Sequence, residues 1–293
     1  MSSGTVPAAR LAVIGGSGFY DMAELTEREE WNPETPFGRP SDAIVVGTLH
    51  GERVAFLPRH GRGHRLLPQE IPARANLWAL KSLGVEGIIA VSAVGSLQEA
   101  IAPRDMVVPD QIIDRTRHTR PTSFFGNGIV AHVGFADPFC PDLSERLAAD
   151  GEARGQRLHR GGCYVCMEGP LFSTRAESHL YRSWGASIIG MTVIPEAKLA
   201  REAEIAYAML ATATDYDVWR EGEEDVSADM VVRNLRANVE SAQQIVAGVI
   251  AGLPADWRST ARGALAAAIV TERERIPEQT KRDLAPIIGG YLS

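Results

Sequence analysis

The 293-residue sequence contains few cysteines and no long apolar run. Its three cysteines, Cys140, Cys163 and Cys166, are too few for a disulfide framework and suit a reducing compartment. The CxxC spacing at 163–166 has no second pair that would complete a zinc site. No segment approaches the roughly 18 uninterrupted apolar residues of a membrane span, and residues 1–10 lack the apolar core of a signal peptide. We therefore expect a cytoplasmic protein without a membrane partner.

Positive charge is also scarce. The chain has 30 basic against 37 acidic residues, a net charge of −7, which argues against broad binding to nucleic acid. Its basic residues instead cluster at 59–65 and 115–120, and local positive charge in an acidic protein fits a small anion such as phosphate. The hydrophobic content of 45% is sufficient for a sizeable core.

Short apolar runs alternate with helical patterns along the chain. Strands are predicted at 11–14, 43–47, 54–57, 87–92, 106–108, 162–167, 186–191 and 206–212. Helices are predicted at 72–83, 143–151, 173–184, 196–203 and 226–253, with a further one at 255–271. This alternation predicts an α/β fold with a central mixed, largely parallel twisted sheet flanked by helices. We expect a single domain over 1–293, with its core at 10–253 and a C-terminal tail at 254–293.

Two acids, Asp215 and Asp217, directly follow the predicted strand at 206–212. Residues at i and i+2 of an extended segment point the same way, so both carboxylates are expected to face one ligand. A pair that accepts hydrogen bonds, or donates one when protonated, suits the adjacent donor and acceptor nitrogens of an adenine edge. A solvated turn or a helix cap is the alternative interpretation of this spacing.

The ends of other predicted strands also carry residues that can bind a ligand. The glycine-rich turn at 15–18 can cradle an anion, although a tight strand-end turn explains it equally well. Residues 58–65 crowd three arginines and two histidines, which suits phosphate, with an exposed basic loop as the alternative. Ser92, Thr192 and Phe172 lie at or after three further strands. Because ligands of open α/β folds bind beyond the carboxyl ends of strands, these segments predict one shared site.

These segments together resemble the trimeric purine nucleoside phosphorylase family. The motifs that carry the resemblance are IGGSGFYD (14–21), TPFGRPSD (35–42), PRHGRGH (58–64), ARANLWALKSLG (73–84), SAVGSL (92–97), EGPLFSTRAES (168–178), GMTVIPEAKLAREAEIAYA (190–208) and TDYDVW (214–219). The match covers about residues 10 to 250. It implies a nucleoside phosphorylase-like fold and phosphate-dependent cleavage of an N-glycosidic bond, with 5′-methylthioadenosine as the expected substrate.

The resemblance also implies a role for each matching position. Its phosphate contacts fall on Ser17, Arg59, His60, Ser92, Ala93 and Thr192. Its nucleoside contacts fall on Met191 at the sugar, Phe172 and Ser173 near the base, Asp215 and Asp217 at the adenine edge, and Ala228, Val231 and Val232 in the 5′ pocket. Asp215 is the implied catalytic acid at N7, which requires a raised pKa. His132 matches a residue that reaches the 5′ pocket of a neighbouring subunit in a homotrimer. Inorganic phosphate is the implied co-substrate, with no other cofactor and no metal.

Several alternatives remain open at this point. Relatives that act on 6-oxopurines carry Asn at the first acid, so Asp215 favours adenine nucleosides, with adenosine and 5′-deoxyadenosine as further substrates. A nicotinamide-dependent oxidoreductase is disfavoured because the turn at 15–18 lacks the third glycine of the dinucleotide fingerprint. A nucleoside-binding protein without turnover is the alternative from another class. Gly190 and Leu171 depart from several relatives, which carry Asn and Arg there, and these departures bear on fine specificity.

Overall fold

The computed structural model describes residues 7–16, 22, 24–117, 119–222 and 226–292, and within them eleven strands form one mixed sheet. The strands are β1 (Leu11–Gly15), β2 (Thr26–Trp31), β3 (Ile44–Leu49), β4 (Glu52–Pro58), β5 (Gly87–Ser96), β6 (Met106–Val108), β7 (Gln111–Arg115), β8 (Leu158–Arg160), β9 (Cys163–Met167), β10 (Ile188–Gly190) and β11 (Ala206–Asp215). The α-helices are α1 (Ala73–Ser82), α2 (Pro141–Ala153), α3 (Arg175–Ser183), α4 (Val193–Glu202), α5 (Ala228–Ala251), α6 (Glu278–Asp283) and α7 (Ala285–Ile288). The predicted α/β class is confirmed.

The centre of the sheet is parallel. Strand β1 pairs with both β4 and β5, and β5 pairs in turn with β11, all in the same direction. Every residue of β11 is buried, as expected for a strand that is covered on both faces. Because the carboxyl ends of parallel strands meet at one edge, the segments after β1, β4 and β11 converge there. Antiparallel pairing of β10 with the end of β5 brings the residues after β10 to the same region.

Helices cover both faces of the sheet. Leu77 and Leu80 of α1 share one buried cluster with Leu199 of α4. Leu147 of α2 and Ile245 of α5 belong to the cluster on the other face. Full burial of each such side chain contributes roughly 1.5–3 kcal/mol, so these helices hold the strand ends in a fixed arrangement.

The C-terminal segment departs from its prediction. Residues 255–271 form a series of turns rather than a helix. Trp257 nevertheless joins the α2/α5 cluster, while Leu265, Ile276 and Ile287 join the α1/α4 cluster. The Trp257 indole N–H also donates to Asp142 of α2, at 2.7 Å. The single-domain organisation stays a prediction, which this packing supports.

The sequence patterns missed three strands. Strand β2 is almost entirely exposed and lies at one end of the sheet order, where its backbone pairs with β3. Strands β7 and β8 are only partly buried. An apolar pattern reports side-chain burial, so strands held mainly by backbone bonds leave no such pattern. None of the described helices is long and apolar enough to cross a bilayer.

Candidate active site

The two predicted acids meet at the end of β11, although not for the predicted reason. Asp215 is the last residue of the strand and is 5% exposed. Its carboxylate accepts the Thr214 hydroxyl at 2.7 Å and the backbone N–H of Asp217 at 2.8 Å. Asp217 lies beyond the strand, in a turn with φ of 50°. Strand alternation was therefore the wrong argument, since a left-handed turn folds Asp217 back onto Asp215.

A glycine allows both acids to approach β5. A Cβ placed on Gly95 would lie 2.9 Å from Asp215 Oδ1 and 3.4 Å from Asp217 Cβ, so a larger residue would push the pair away. Asp217 is itself buried, and its Oδ2 has no hydrogen-bond partner among the described residues. A buried acceptor without a partner marks a place where a ligand donor fits.

Burial changes the acidity of both carboxyl groups. It raises the pKa of Asp215 above the usual aspartate value, against the lowering effect of the Thr214 hydroxyl and the Asp217 N–H, and the nearby charge of Asp217 raises it further. Burial likewise raises the pKa of Asp217, while the hydroxyls of Ser178 and Ser173 lie close enough to lower it in part. This acid pair therefore retains a proton at pH values where an exposed aspartate has lost it.

Arg59 follows β4, and a carboxylate and two backbone carbonyls fix its guanidinium. It is 1% exposed, and its guanidinium pairs with Glu196 through Nε and through Nη2 at 3.1 Å. The carbonyls of Val91 and Ile14 accept from Nη1 and Nη2 at 3.0 and 3.3 Å. Burial alone would lower the pKa of Arg59, but the charge and hydrogen bonds of Glu196 outweigh it and raise that pKa. Arg59 therefore stays a cation, and its Nη1 makes one hydrogen bond in the described part of the chain, to Val91.

Two hydroxyls lie where β5 meets the residues after β10. Ser92 Oγ and Thr192 Oγ1 are 3.0 Å apart, and both side chains are buried. The Ser92 hydroxyl also donates to the carbonyl of Ala93, at 3.2 Å. The Arg59 guanidinium donates to the carbonyl of Val91, the residue before Ser92. The two hydroxyls and this guanidinium are groups that can donate hydrogen bonds to an anion.

His60, next to Arg59, is held as a neutral ring. Its Nδ1 donates to the carbonyl of Leu66 at 2.8 Å, and its ring stacks on His64 with centroids 4.2 Å apart. Burial lowers the pKa of His60 to about 4; the Leu66 carbonyl opposes this and the Arg59 charge adds to it. His60 therefore offers Nε2 as an acceptor at neutral pH.

Arg120, which the sequence arguments did not single out, ties two site segments together. Its Nε donates to the Glu168 carboxylate at 2.9 Å and its Nη2 to the Glu168 carbonyl. Its Nη1 donates to the carbonyls of Met191 and Ile194, at 2.6 and 2.9 Å. The basic run at 115–120 was the available signal, but it did not show which arginine is buried. Arg120 thus fixes the Met191 backbone against the segment that leads to Phe172.

The segment after β9 carries Phe172 and Ser173, the residues predicted to contact the base. Gly169 has φ of 69°, and a Cβ there would lie 2.5 Å from Met191 Sδ, so this backbone packs directly on the methionine. Phe172 is 41% exposed, whereas Ser173 is buried and its hydroxyl points to Met167 Sδ at 3.8 Å. The sequence did not predict the close contact between Gly169 and Met191.

The other predicted site residues are Ser17, Ala228, Val231, Val232 and His132. Ser17 lies outside the described residues, and so does the side chain of Ala228, the first residue of α5. Val231 is half-buried and Val232 is exposed on the same helix. His132 is exposed; its backbone N–H donates to Ala268 at 2.9 Å, and no hydrogen bond in the described part of the chain joins it to the acids or the arginine.

Sequence profiles of known families identify the relationship. The profile of the Phosphorylase superfamily matches residues 10–251. The chain belongs to the phosphorylase superfamily. The resemblance deduced from the motifs is thereby confirmed.

Members of the superfamily match over nearly the whole chain. An S-methyl-5′-thioadenosine phosphorylase from Geobacter sulfurreducens is 54% identical over 282 residues, which are 96% of this chain and 99% of the relative. One from Gloeobacter violaceus is 56% identical over 292 residues, 97% of each chain. These alignments include most of the C-terminal segment, which the motif comparison left unmatched.

Solved structures of the superfamily share the fold. A methylthioadenosine phosphorylase from an antarctic soil metagenomic library superposes with a TM-score of 0.91 at 52% identity, covering 96% of this chain and 99% of that one. A Schistosoma mansoni methylthioadenosine phosphorylase in complex with adenine gives a TM-score of 0.82 at 36% identity, covering 88% and 96%.

Proposed function

We propose that this chain cleaves the N-glycosidic bond of S-methyl-5′-thioadenosine with inorganic phosphate, giving adenine and 5-methylthioribose 1-phosphate. The relatives named above carry this activity in their names, and the motifs of this chain agree with it. The observation that carries the proposal is that hydrogen-bond donors suited to an anion and a buried acid pair lie next to two positions of the same strand, β5.

The spacing of the two groups fits a nucleoside. Ser92 belongs to the anion site and Gly95 lies against the acids, and both are residues of β5. At about 3.3 Å per residue, these positions are roughly 10 Å apart. A sugar fits between a phosphate at one position and a purine edge at the other.

Phosphate is a weak nucleophile, so the rate comes from positioning and from charge stabilisation. Arg59, Ser92 and Thr192 hold the phosphate, with the backbone of Ala93 and with Ser17 completing the set, while the neutral His60 ring accepts a hydrogen bond from a protonated phosphate oxygen. A phosphate oxygen then bonds to C1′ as the bond from C1′ to N9 breaks, and the electron pair of that bond moves into the base.

The acid pair receives the departing base. The protonated carboxyl of Asp215 donates its proton to N7, which neutralises the charge that builds up on the purine. Asp217 accepts a hydrogen bond from the 6-amino group through Oδ2, the oxygen that has no hydrogen-bond partner among the described residues. A 6-oxopurine offers an acceptor at that place, so the pair favours adenine.

Other groups surround the sugar and its 5′ substituent. Met191 packs along the sugar, and Phe172 and Ser173 lie beside the base. Ala228 and Val231 form a small apolar wall for the methylthio group, completed by His132 of the partner subunit in a homotrimer. We further propose a cytoplasmic enzyme that needs no metal or cofactor besides its co-substrate phosphate and has no nucleic-acid or membrane partner.

A panel of purine nucleosides, incubated with and without phosphate, tests the proposal. We expect adenine release from S-methyl-5′-thioadenosine only when phosphate is present, and unchanged turnover in EDTA. Faster release of hypoxanthine from inosine or methylthioinosine would indicate a 6-oxopurine enzyme. Binding without base release from any purine nucleoside would indicate a binding protein.

A further inference from the structure

Tyr164 of β9 has a buried hydroxyl that no hydrogen bond explains. The side chain is 0% exposed, and its Oη has no hydrogen-bond partner among the described residues. Burying a hydroxyl without a hydrogen-bond partner lowers the stability of the folded protein by roughly 1–3 kcal/mol. A buried hydroxyl without a partner, close to a functional site, suggests that its hydrogen bond forms only when the ligand is bound.

The hydroxyl occupies space that Gly190 leaves open. A Cβ placed on Gly190 would lie 2.0 Å from Tyr164 Oη and 2.8 Å from its Cζ. The φ of Gly190 is outside the left-handed region, so its backbone does not require glycine. The absent side chain is what admits the hydroxyl, two residues before Thr192 in the chain.

Thr192, two residues after Gly190, is a polar group close enough to this hydroxyl to influence its pKa. Burial raises the pKa of Tyr164 well above its usual value, while the hydroxyl and backbone N–H of Thr192 and the charge of Arg59 lower it in part. Tyr164 therefore keeps its proton throughout the neutral range and remains a donor.

The hydrogen bonds between Ser92 and Thr192 allow Thr192 to accept a further hydrogen bond from Tyr164. The single proton of Ser92 points to the Ala93 carbonyl, so Thr192 supplies the proton of the 3.0 Å contact between Ser92 and Thr192. An anion in the site requires the Thr192 proton to turn away from Ser92 and towards a phosphate oxygen. The lone pairs of Thr192 Oγ1 are then free to accept from Tyr164.

We propose that Tyr164 is a positioning residue for phosphate: its hydroxyl donates to Thr192 Oγ1 and directs the Thr192 proton at the bound anion, and Gly190 provides the space for this arrangement. The inference rests on the proposed phosphorolysis. Tyr164 does not touch the phosphate; it selects the rotamer of the hydroxyl that does.

The substitution Tyr164→Phe tests this role. We expect the KM for inorganic phosphate to rise about five- to tenfold, the loss of one ordinary hydrogen bond. The KM for S-methyl-5′-thioadenosine, and kcat at saturating phosphate, stay within about twofold. The melting temperature does not fall, because the removed hydroxyl has no hydrogen-bond partner in the described part of the chain. Tyr181→Phe, a second buried tyrosine, is the matched control and leaves the phosphate KM unchanged.

Gly190→Ala supplies an independent test, because its Cβ displaces the Tyr164 hydroxyl. We expect a similar rise in phosphate KM, and in the double variant a rise smaller than the product of the two single effects. A phosphate KM within twofold of the parent in Tyr164→Phe, or a fall in kcat and melting temperature at unchanged phosphate KM, overturns the role of Tyr164. If base release by the unsubstituted chain does not depend on phosphate, the proposed function itself is wrong.

Discussion

Replacing Asp215 by asparagine removes the proposed proton donor and leaves its surroundings almost intact. An asparagine oxygen can still accept the Asp217 N–H, now 2.8 Å from the carboxylate. Its amide can donate to the Thr214 hydroxyl, which now donates to the carboxylate at 2.7 Å and can turn to accept. We expect Asp215→Asn to change the unfolding free energy by no more than about 1 kcal/mol, because both bonds survive and no charge remains to be desolvated.

The catalytic effect is much larger. A positioned general acid contributes about 10²- to 10⁴-fold, which at 1.36 kcal/mol per tenfold is roughly 2.7–5.4 kcal/mol of transition-state stabilisation. Asparagine cannot transfer a proton to N7, although its amide can donate a hydrogen bond there. We therefore expect kcat/KM for S-methyl-5′-thioadenosine to fall by about 10²-fold or more, and the ratio of hypoxanthine to adenine release to rise.

The assay compares adenine release from S-methyl-5′-thioadenosine with hypoxanthine release from methylthioinosine, alongside a melting curve of each variant. Asp150→Asn is the matched control. It makes the same chemical change in an i,i+4 pair between α2 and Arg154, the residue that follows this helix, and we expect both rates to stay unchanged. A folded Asp215→Asn variant that releases adenine within about fivefold of the parent rate would refute the assignment of Asp215 as the acid.

Three further predictions follow from the electrostatics of the site. The kcat for adenine release falls as the pH rises through the raised pKa of Asp215, since the acid must be protonated, and a pH profile of Asp215→Asn that keeps this fall would contradict the assignment. Glu196→Gln leaves the buried charge of Arg59 without its counter-ion and lowers the unfolding free energy by about 3–5 kcal/mol in denaturant titrations, whereas a change below about 1 kcal/mol would show that the pair is not needed. His60, with a pKa of about 4 when folded and 6.5 as its reference value, binds its proton more readily in the unfolded chain. In phosphate-free buffer about 3 kcal/mol of stability is therefore lost as the pH falls from about 6.5 to 4, and an equal pH dependence in His60→Gln would argue against this origin.

Sequence patterns predicted the parts of the fold that depend on burial. The apolar run of β11 and the helical period of α5 each predicted their element, because continuous burial and amphipathic packing leave a direct imprint on composition. Strand β2 and the turns at 255–271 were missed or misassigned. The first is held by backbone bonds to β3, and the second buries apolar side chains without regular periodicity.

The candidate site was predictable in its residue types but not in its geometry. Asp215 and Asp217 were recognised by position, yet a left-handed turn rather than strand alternation brings them together. The motifs contain Glu196, but they did not show that it holds Arg59 in a buried pair. Tyr164 of β9 fills the space left by Gly190 of β10. The two residues are separated in sequence, so only the folded chain shows this contact.

The central claim is tested most directly by the fate of phosphate during turnover. Phosphorus NMR, with adenine measured in the same sample, follows the reaction of S-methyl-5′-thioadenosine with inorganic phosphate. We predict that one phosphate enters a sugar 1-phosphate ester for each adenine released. Adenine release with free methylthioribose and undiminished inorganic phosphate would identify a hydrolase and contradict the proposal.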